Sequence, residues 1–338
     1  FFQAEDGLRD SSTSRGLGDV YKRQVFSQAN FIIGVGSCLD QDLDQPIWNA
    51  IQKEQLDLFF FLGDNVYGDS RFFSITKLRR AYEIQKNKLP NWLETVKILQ
   101  IWDDHDYGLN DGGKNYRHKE ISQEIYLNFW GISQDDQRRN QEGVFFSKFV
   151  NHNGKIIQFI GLDTRYHRSN LKGFKKSYRP NTDIDATILG EQQWLWLEDQ
   201  LEKEADIRII ASSIQVLAKE HRFEKWSNFP NERSKLLSLL SKADSNSNLL
   251  IVSGDRHRGG IYKKDNLIEL TSSSMNKPSN IDYETDQYLD GETHPEENYG
   301  IIEISDKSVL IYLKNIDGKI LESAELMISS LNNIKVTT

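Results

Sequence analysis

The sequence predicts an α/β fold in which helices pack outside mixed β-sheets. Three observations carry that expectation. Short β-branched or aromatic runs alternate with helical stretches as far as Val252. An Asn-Gly pair between two apolar runs marks a hairpin. After Gly259 the pattern turns to strand after strand, so the sheets must mix parallel and antiparallel pairs.

Taken in order, Phe31 to Val35 is a short apolar run ending in Gly-Ser-Cys and reads as a buried strand. Asp44 and Pro46 open a helix to about Gln55, with proline in the first turn, where its missing N–H is not needed. Leu56 to Leu62 is a second buried strand, stopped by Gly63, and Lys97 to Trp102 is a third, with helical stretches between them. A helix follows from about His118 to Trp130. Val144 to Val150 and Lys155 to Leu162 flank His152-Asn153-Gly154 as a hairpin. Gly190 to Lys203 places Trp194, Leu197 and Leu201 at helical spacing. Ile207 to Ala211 and Leu249 to Val252 are two further buried strands around a helix near Glu232 to Leu240. Leu267 to Leu270, Gly300 to Ile304, Val309 to Leu313 and Glu325 to Ile328 complete the strands.

The sequence has neither an internal repeat nor a low-complexity linker, so residues 30–338 read as one domain. Phe1 to Gln24 has no apolar periodicity and resembles translated adapter sequence, so it is expected to be non-native and disordered. In residues 25–29, Ser27-x-Ala29 fits the small-x-small end of a secretory signal, and a short linker fits as well; the first reading places the protein outside the cytoplasm, secreted or periplasmic.

Composition narrows the function. A formal charge of −8 argues against bulk binding to nucleic acid or anionic lipid. No apolar run is long enough to span a bilayer. Cys38 is the only cysteine, which excludes an internal disulfide; it is either a small buried thiol or a metal ligand.

The chemistry gathers just after the buried strands. Ser37 and Cys38 follow the first. Asp64, Asn65, Tyr67 and Asp69 follow the second, and Asp103, Asp104, His105 and Asp106 the third. The hairpin ends in Asp163, Arg165 and Arg168. Ser212, Ser213 and Gln215 follow the next strand, and Asp255, Arg256 and His257 the last. Ligands in open α/β sheets bind beyond the carboxyl ends of the strands, so these loops are expected to converge. Any one Asp-x-His has a turn or capping explanation; the full set does not. So many donors exceed a closed four-ligand zinc site. Carboxylates, an amide, imidazoles, a phenol and a thiol suit two or more ions, with a thiolate and phenolate together favouring iron at one position.

The ordered set GSC, GDNVYGD, WDDHD, LDTRYHR, LGEQQWLWL, SSIQV, FPNER and SGDRH resembles the PhoD-like (alkaline phosphatase D) family of the metallophosphoesterase superfamily, from about Ile33 to Tyr299. Relative to the wider superfamily, Cys38, Asp104 and Asp255 are departures shared with that branch. The resemblance implies a sandwich of two mixed sheets flanked by helices and hydrolysis of small phosphate esters by a metal-activated water. It implies Fe3+ held by Cys38, Asp64 and Tyr67, with Ca2+ nearby and Mn2+, Mg2+ or Zn2+ as other candidates. Asp64 would bridge the ions, with Asp104, Asn110, Asp255 and His257 as further ligands. His105 would act on the leaving oxygen, Arg165 and Arg168 would hold the phosphate as planar forks, and Gln215 would contact substrate. A catalytically silent metal or phosphate binder and a phosphodiesterase or phospholipase acting on larger phospho-substrates are the alternatives.

Two charge runs have less specific readings. Residues 165–179 carry Arg165, Arg168, Lys172, Lys175, Lys176 and Arg179 with no acid, as either an electropositive lip or a solvated loop. The acidic run from Asp282 to Glu297 is expected to be an exposed loop. Oligomeric state is not encoded in any of these patterns.

Overall fold

A computed structural model describes residues 29–69, 74–244, 248–279 and 284–328. The adapter-like segment and all but Ala29 of the signal remnant lie outside the described residues. In chain order the first half contains β1 (Phe31–Gly36), α1 (Trp48–Ile51), β2 (Leu58–Leu62), α2 (Ile75–Lys88), β3 (Lys97–Ile101), α3 (Asp104–Tyr107), α4 (Lys119–Phe129), β4 (Phe146–His152) and β5 (Lys155–Gly161). Then come β6 (Lys172–Phe174), β7 (Ser177–Arg179), α5 (Gly190–Glu202), β8 (Ile207–Ser212), α6 (Pro230–Asp244), β9 (Asn248–Ser253), β10 (Gly259–Lys264) and β11 (Leu267–Thr271). β12 (Leu289–His294), β13 (Asn298–Ile304), β14 (Ser308–Asn315) and β15 (Ile320–Met327) close the described chain.

Among the described residues these strands form two large sheets and a small hairpin of β6 and β7. The first sheet runs β15-β14-β13-β1-β2-β3, with β1, β2 and β3 parallel and the other pairs antiparallel. The second runs β12-β10-β11-β9-β8-β5-β4, parallel across β5, β8, β9 and β11. Both sheets are therefore mixed, as expected.

Strand alternation builds the layers. In β2 all five residues are buried: Leu58, Phe60 and Leu62 enter the core between the sheets, while Phe59 and Phe61 pack on Trp48 of α1. The inter-sheet core draws Ile33 and Val35 from one sheet and Phe159, Ile209 and Leu250 from the other. α5 and α6 cover the outer face of the second sheet with Trp194, Leu197, Leu236 and Leu240. A strand buried on both faces reads as a continuous apolar run, which is why β2, β8 and β9 stand out in the sequence.

The helix expected from Asp44 to Gln55 is shorter, and Gln55 leaves it in the left-handed region at φ 55°. The acidic run from Asp282 differs more. Residues 280–283 lie outside the described residues, but Glu284 sits in ion pairs with Arg256 and Arg258, and Leu289–His294 is an edge strand. Charged side chains on an edge strand blunt its unpaired face, so a strand there looks like an acidic loop. No helix among the described residues is long and apolar enough to cross a membrane.

Candidate metal centre

Parallel pairing brings the carboxyl ends of β1, β2 and β3 to one edge of the first sheet, and those of β5, β8, β9 and β11 to one edge of the second. The two edges meet. Gly63, at φ 98°, has no room for a side chain: a Cβ there would lie 2.6 Å from Cβ of Asp103. Gly254 allows the same closeness between sheets, since a Cβ would meet Oγ of Ser37 at 2.6 Å and the Leu62 carbonyl at 3.0 Å.

Cys38, Asp64, Asp255 and His257 all have positive φ, at 58°, 50°, 65° and 52°. For a side chain other than glycine this costs about 1–2 kcal/mol, and such strain persists where the surroundings demand a particular direction for the side chain. Here the demand is convergence. Sγ of Cys38 lies 3.4 Å from Oδ2 of Asp64 and 3.1 Å from Oγ of Ser273. The Tyr67 hydroxyl is 3.4 Å from Oδ2 of Asp64 and 3.5 Å from Nε2 of His257.

Three groupings bring candidate ligand atoms within 4.8 Å of one another: Cys38, Asp64 and His257; Asp64, Asp104 and His105; and Asp64, Asp103, Asp104 and Asp255. Asp64 belongs to all three. The structure thus brings together Cys38, Asp64, Tyr67, Asp104, His105, Asp255 and His257. Asn110 joins at the rim, where Nδ2 donates to Oδ2 of Asp104 at 3.2 Å.

The electrostatics are those of a buried anionic cluster. Burial pushes the Asp64 carboxyl well above its usual range, and Cys38 and Asp104 push it further. Burial, then Asp104, raises Asp255 to about 8. Burial also raises the Cys38 thiol and the Tyr67 phenol. Asp104 is the exception: burial opposes its charge, but His105 and Arg165 hold it down to about 2. Oδ1 of Asp104 is buried with no hydrogen-bond partner.

The two histidines differ. Burial lowers His257 to about 4, so its ring is neutral. Its Nδ1 faces the Lys277 carbonyl, which can only accept, so Nδ1 carries the proton and Nε2 offers a lone pair to the cluster. Burial also opposes charge on His105, but Asp104 and Asp69 outweigh it and raise its pKa. Nδ1 of His105 donates to Oδ1 of Asp69 at 2.5 Å, and Nε2 lies 3.8 Å from Oδ1 of Asp104.

This donor set fits cations. Four carboxylates and a thiol crowd one buried volume, an unpartnered carboxylate oxygen points into it, and a neutral imidazole presents its lone pair. Cys38, Asp64, Tyr67 and His257 supply the softer side, and Asp104 and Asp255 the oxygen-rich side; Asn110, expected as a ligand, turns its Nδ2 to Asp104 and its Oδ1 to Nζ of Lys175.

Arg165 and Arg168, expected to fork a phosphate, are placed differently. Arg165 is completely buried; its guanidinium meets Oδ1 of Asp103 at 2.5 Å and Oε2 of Glu224 at 2.6 Å. Arg168 meets Oε1 of Glu224 at 2.9 Å, and it also donates to the carbonyls of Ser169, Asp111 and Gly112. A guanidinium buried with no water to solvate it is held by the carboxylates nearest to it. Gln215 is also fully buried, donating to Oγ1 of Thr271 at 2.8 Å.

The cations that reach the opening are others. A cavity of about 340 Å³ reaches the cluster, lined by Asp104, His105, Asp255 and His257 together with Lys175, Lys176, Tyr178, Phe223 and Arg256. A larger cavity, about 660 Å³, lies at the amino ends of β5 and β8 against Glu198, Lys203 and Asp206, away from every metal-type grouping.

Sequence reasoning left Asp69, Asp111, Glu224, Ser273 and Lys277 without roles. Asp69 had a signal, its place in the GDNVYGD motif. Ser273 and Lys277 follow β11, whose Thr-Ser-Ser-Ser exit reads as an ordinary turn. The LGEQQWLWL and FPNER motifs prove to be scaffold: Gln193 bonds the backbone of Asp163, and Glu232 accepts from Trp194, Thr187 and Ile188.

A family model described as PhoD-like phosphatase matches residues 33–306. Alkaline phosphatase D of Bacillus subtilis (strain 168) is 21% identical over 269 residues, covering 68% of this chain and 46% of that protein, so the chain spans about half the length of this curated relative. Among solved structures, one titled "Structure of PhoD" aligns with a TM-score of 0.67 and 14% identity, over 89% of this chain and 69% of that one. GAP50 of Plasmodium gives 0.62 at 14% identity over 89% and 90%. The purple acid phosphatase PPD1 of yellow lupin gives 0.59 at 10% identity over 89% and 54%. At such identities the structural likenesses establish the two-sheet sandwich.

Proposed function

The chain belongs to the PhoD-like phosphatase family, and from that premise we propose that it hydrolyses small phosphate esters at the Asp64-centred cluster. The observation that carries this reading is the sharing of Asp64 by three ligand groupings beside His105, whose Nδ1 is held by Asp69. Cations bound there would polarise the phosphoryl oxygens and supply a water acidic enough to attack at neutral pH.

The residues divide the work by their surroundings. Asp64, in the middle, would bridge the cations, and Cys38, Tyr67 and His257 would complete one position. A thiolate, a phenolate and a neutral imidazole favour ferric iron there. Asp104 and Asp255 offer oxygen donors that favour calcium, with manganese or magnesium as other occupants. His105 keeps its Nδ1 proton on Asp69 and turns Nε2 toward the cluster, so it can give a proton to the leaving oxygen. Arg165 steadies Asp103, the residue that begins α3 and so sets the direction of Asp104 and His105. An extracytoplasmic location is part of the same proposal, and it is supported by Ser27-x-Ala29 alone.

Purified protein supplied with iron and calcium is expected to retain both by elemental analysis and to hydrolyse p-nitrophenyl phosphate or its bis-ester. His105→Ala should keep the metals and lose roughly 100-fold in turnover on an alkyl phosphate, whose poor leaving group needs the proton. Metal retention without hydrolysis of either ester would leave a binding protein and end the hydrolase reading.

A further inference from the structure

The cavity above the cluster has a second half that the proposed chemistry does not use. The β6–β7 hairpin turns at Lys175 and Lys176, and both line the opening. Nζ of Lys175 donates to Oδ1 of Asn110 at 2.5 Å. Neither lysine forms an ion pair among the described residues, and both are exposed. The acids lining the same cavity are already engaged: Glu224 by Arg165 and Arg168, Asp111 by the Tyr178 hydroxyl at 2.7 Å, and Asp104 and Asp255 by the metal-type groupings.

The hairpin is fixed in place rather than free in solvent. Tyr178 ties it on one side through its hydroxyl to Asp111, and on the other its N–H donates to the Arg222 carbonyl at 3.0 Å. Gly173 at φ 97° lets the two short strands close, since a Cβ there would lie 2.6 Å from the Ser177 carbonyl. Beyond Arg222, Phe223 carries the Arg256 guanidinium 4.5 Å from its ring centre, and Arg256 is only 5% exposed. Two bonds to Glu284, at 2.7 and 2.8 Å, fix that guanidinium, while its buried Nε has no partner. Three cations therefore line the cavity that the metal-type cluster also lines, two of them without an ion-pair partner among the described residues.

We propose that Lys175, Lys176 and Arg256 form a second anion subsite, which selects phosphate esters carrying a further phosphate on the leaving group. This rests on the hydrolase reading of the cluster. The scissile phosphate sits at the cluster, and the second phosphate lies under the hairpin tip, where two ammonium groups take the place of its lost solvation. A cavity of about 340 Å³ is at the small end of ligand pockets and suits a compact bisphosphate.

The test compares fructose 6-phosphate with fructose 1,6-bisphosphate on the metal-loaded protein and its Lys175→Ala/Lys176→Ala variant. Wild type is expected to favour the bisphosphate in kcat/KM. The double variant should lose about tenfold more on the bisphosphate than on the monophosphate, as expected for two exposed ammonium groups. An equal fall on both esters, or no fall, overturns the subsite. Calorimetry on the same two proteins gives a reading without turnover: inorganic pyrophosphate should bind wild type more tightly than inorganic phosphate does, and the variant should lose that difference. If neither ester is hydrolysed by wild type, the hydrolase reading fails, and the pyrophosphate titration still decides whether the subsite exists.

Discussion

Asp64 and Asp103 follow neighbouring strands, and both are fully buried, yet their charges are met in opposite ways. Asp103 faces Arg165 at 2.5 Å and accepts from Ser213, and Arg165 turns in the other direction to Glu224, which also holds Arg168. That network draws its counter-ions from the chain itself, although burial still raises the Asp103 carboxyl above its usual range and leaves Oδ2 without a partner. Burial favours a neutral Arg165, but Asp103 and Glu224 raise its pKa well above the ordinary value. Asp64 instead meets a thiol, a phenol and the His105 N–H at 3.4 Å, and no Lys or Arg bonds it among the described residues. Both acids belong to a metal-type grouping, but of the two only Asp103 carries an internal guanidinium. One is met on Oδ1 by an internal counter-ion; the other has no internal counter-ion among the described residues and is open to cations from outside.

Removing the open acid should have the larger effect. Asp64→Asn preserves shape and deletes the charge common to all three groupings. Turnover is expected to fall on the order of 10³-fold or more as bound metal is lost. Stability should move in the opposite sense. Stripped of metal, the variant is relieved of a buried carboxylate and should melt above stripped wild type, whereas metal addition should raise the melting temperature of wild type alone. A variant that binds metal and melts like wild type in both states would erase the distinction between the two acids.

Breaking the closed network should cost stability instead. Arg165→Met leaves Asp103 and Glu224 buried without their shared cation, a loss of about 3–5 kcal/mol in denaturant unfolding. That loss should appear whether or not metal is present. A variant of unchanged stability with weakened phosphate affinity would instead return Arg165 to the substrate-holding role that its motif suggests.

The same contrast explains what could be read from the sequence. Parallel strands deliver their exits to one edge, so strand order made the exits legible as one site, and the motif resemblance singled out Cys38, Asp64, Asp104, Asp255 and His257 within it. Burial on both faces made β2, β8 and β9 legible as apolar runs. The partners of Arg165 were not legible. They lie 62 and 59 positions away, and an arginine after a strand looks the same whether it faces a phosphate or a carboxylate. β12 was hidden for a related reason: its pattern is set by salt bridges such as Asp290 with Lys263, not by apolar alternation. The short hairpin of β6 and β7 is hidden too, because one tyrosine anchors it rather than a core.

The smallest effect we expect lies between the two regions, at Asp69. Its carboxylate is outside every metal grouping but holds Nδ1 of His105 at 2.5 Å, and it is held below its usual pKa by that histidine although burial opposes this. Asp69→Asn keeps a hydrogen-bond acceptor and removes the charge, so His105 remains near its place but is less firmly oriented. Loss of such a partner costs about tenfold. The loss should fall on kcat, with KM and metal content close to wild type, because Asp69 touches neither ester nor ligand. It should also shrink for esters with more acidic leaving groups, which depart with less help from a proton. A uniform loss across leaving groups would mean that Asp69 supports the loop after β2 rather than the proton on His105. The boundary between scaffold and site would then run inside His105 instead of at Asp69.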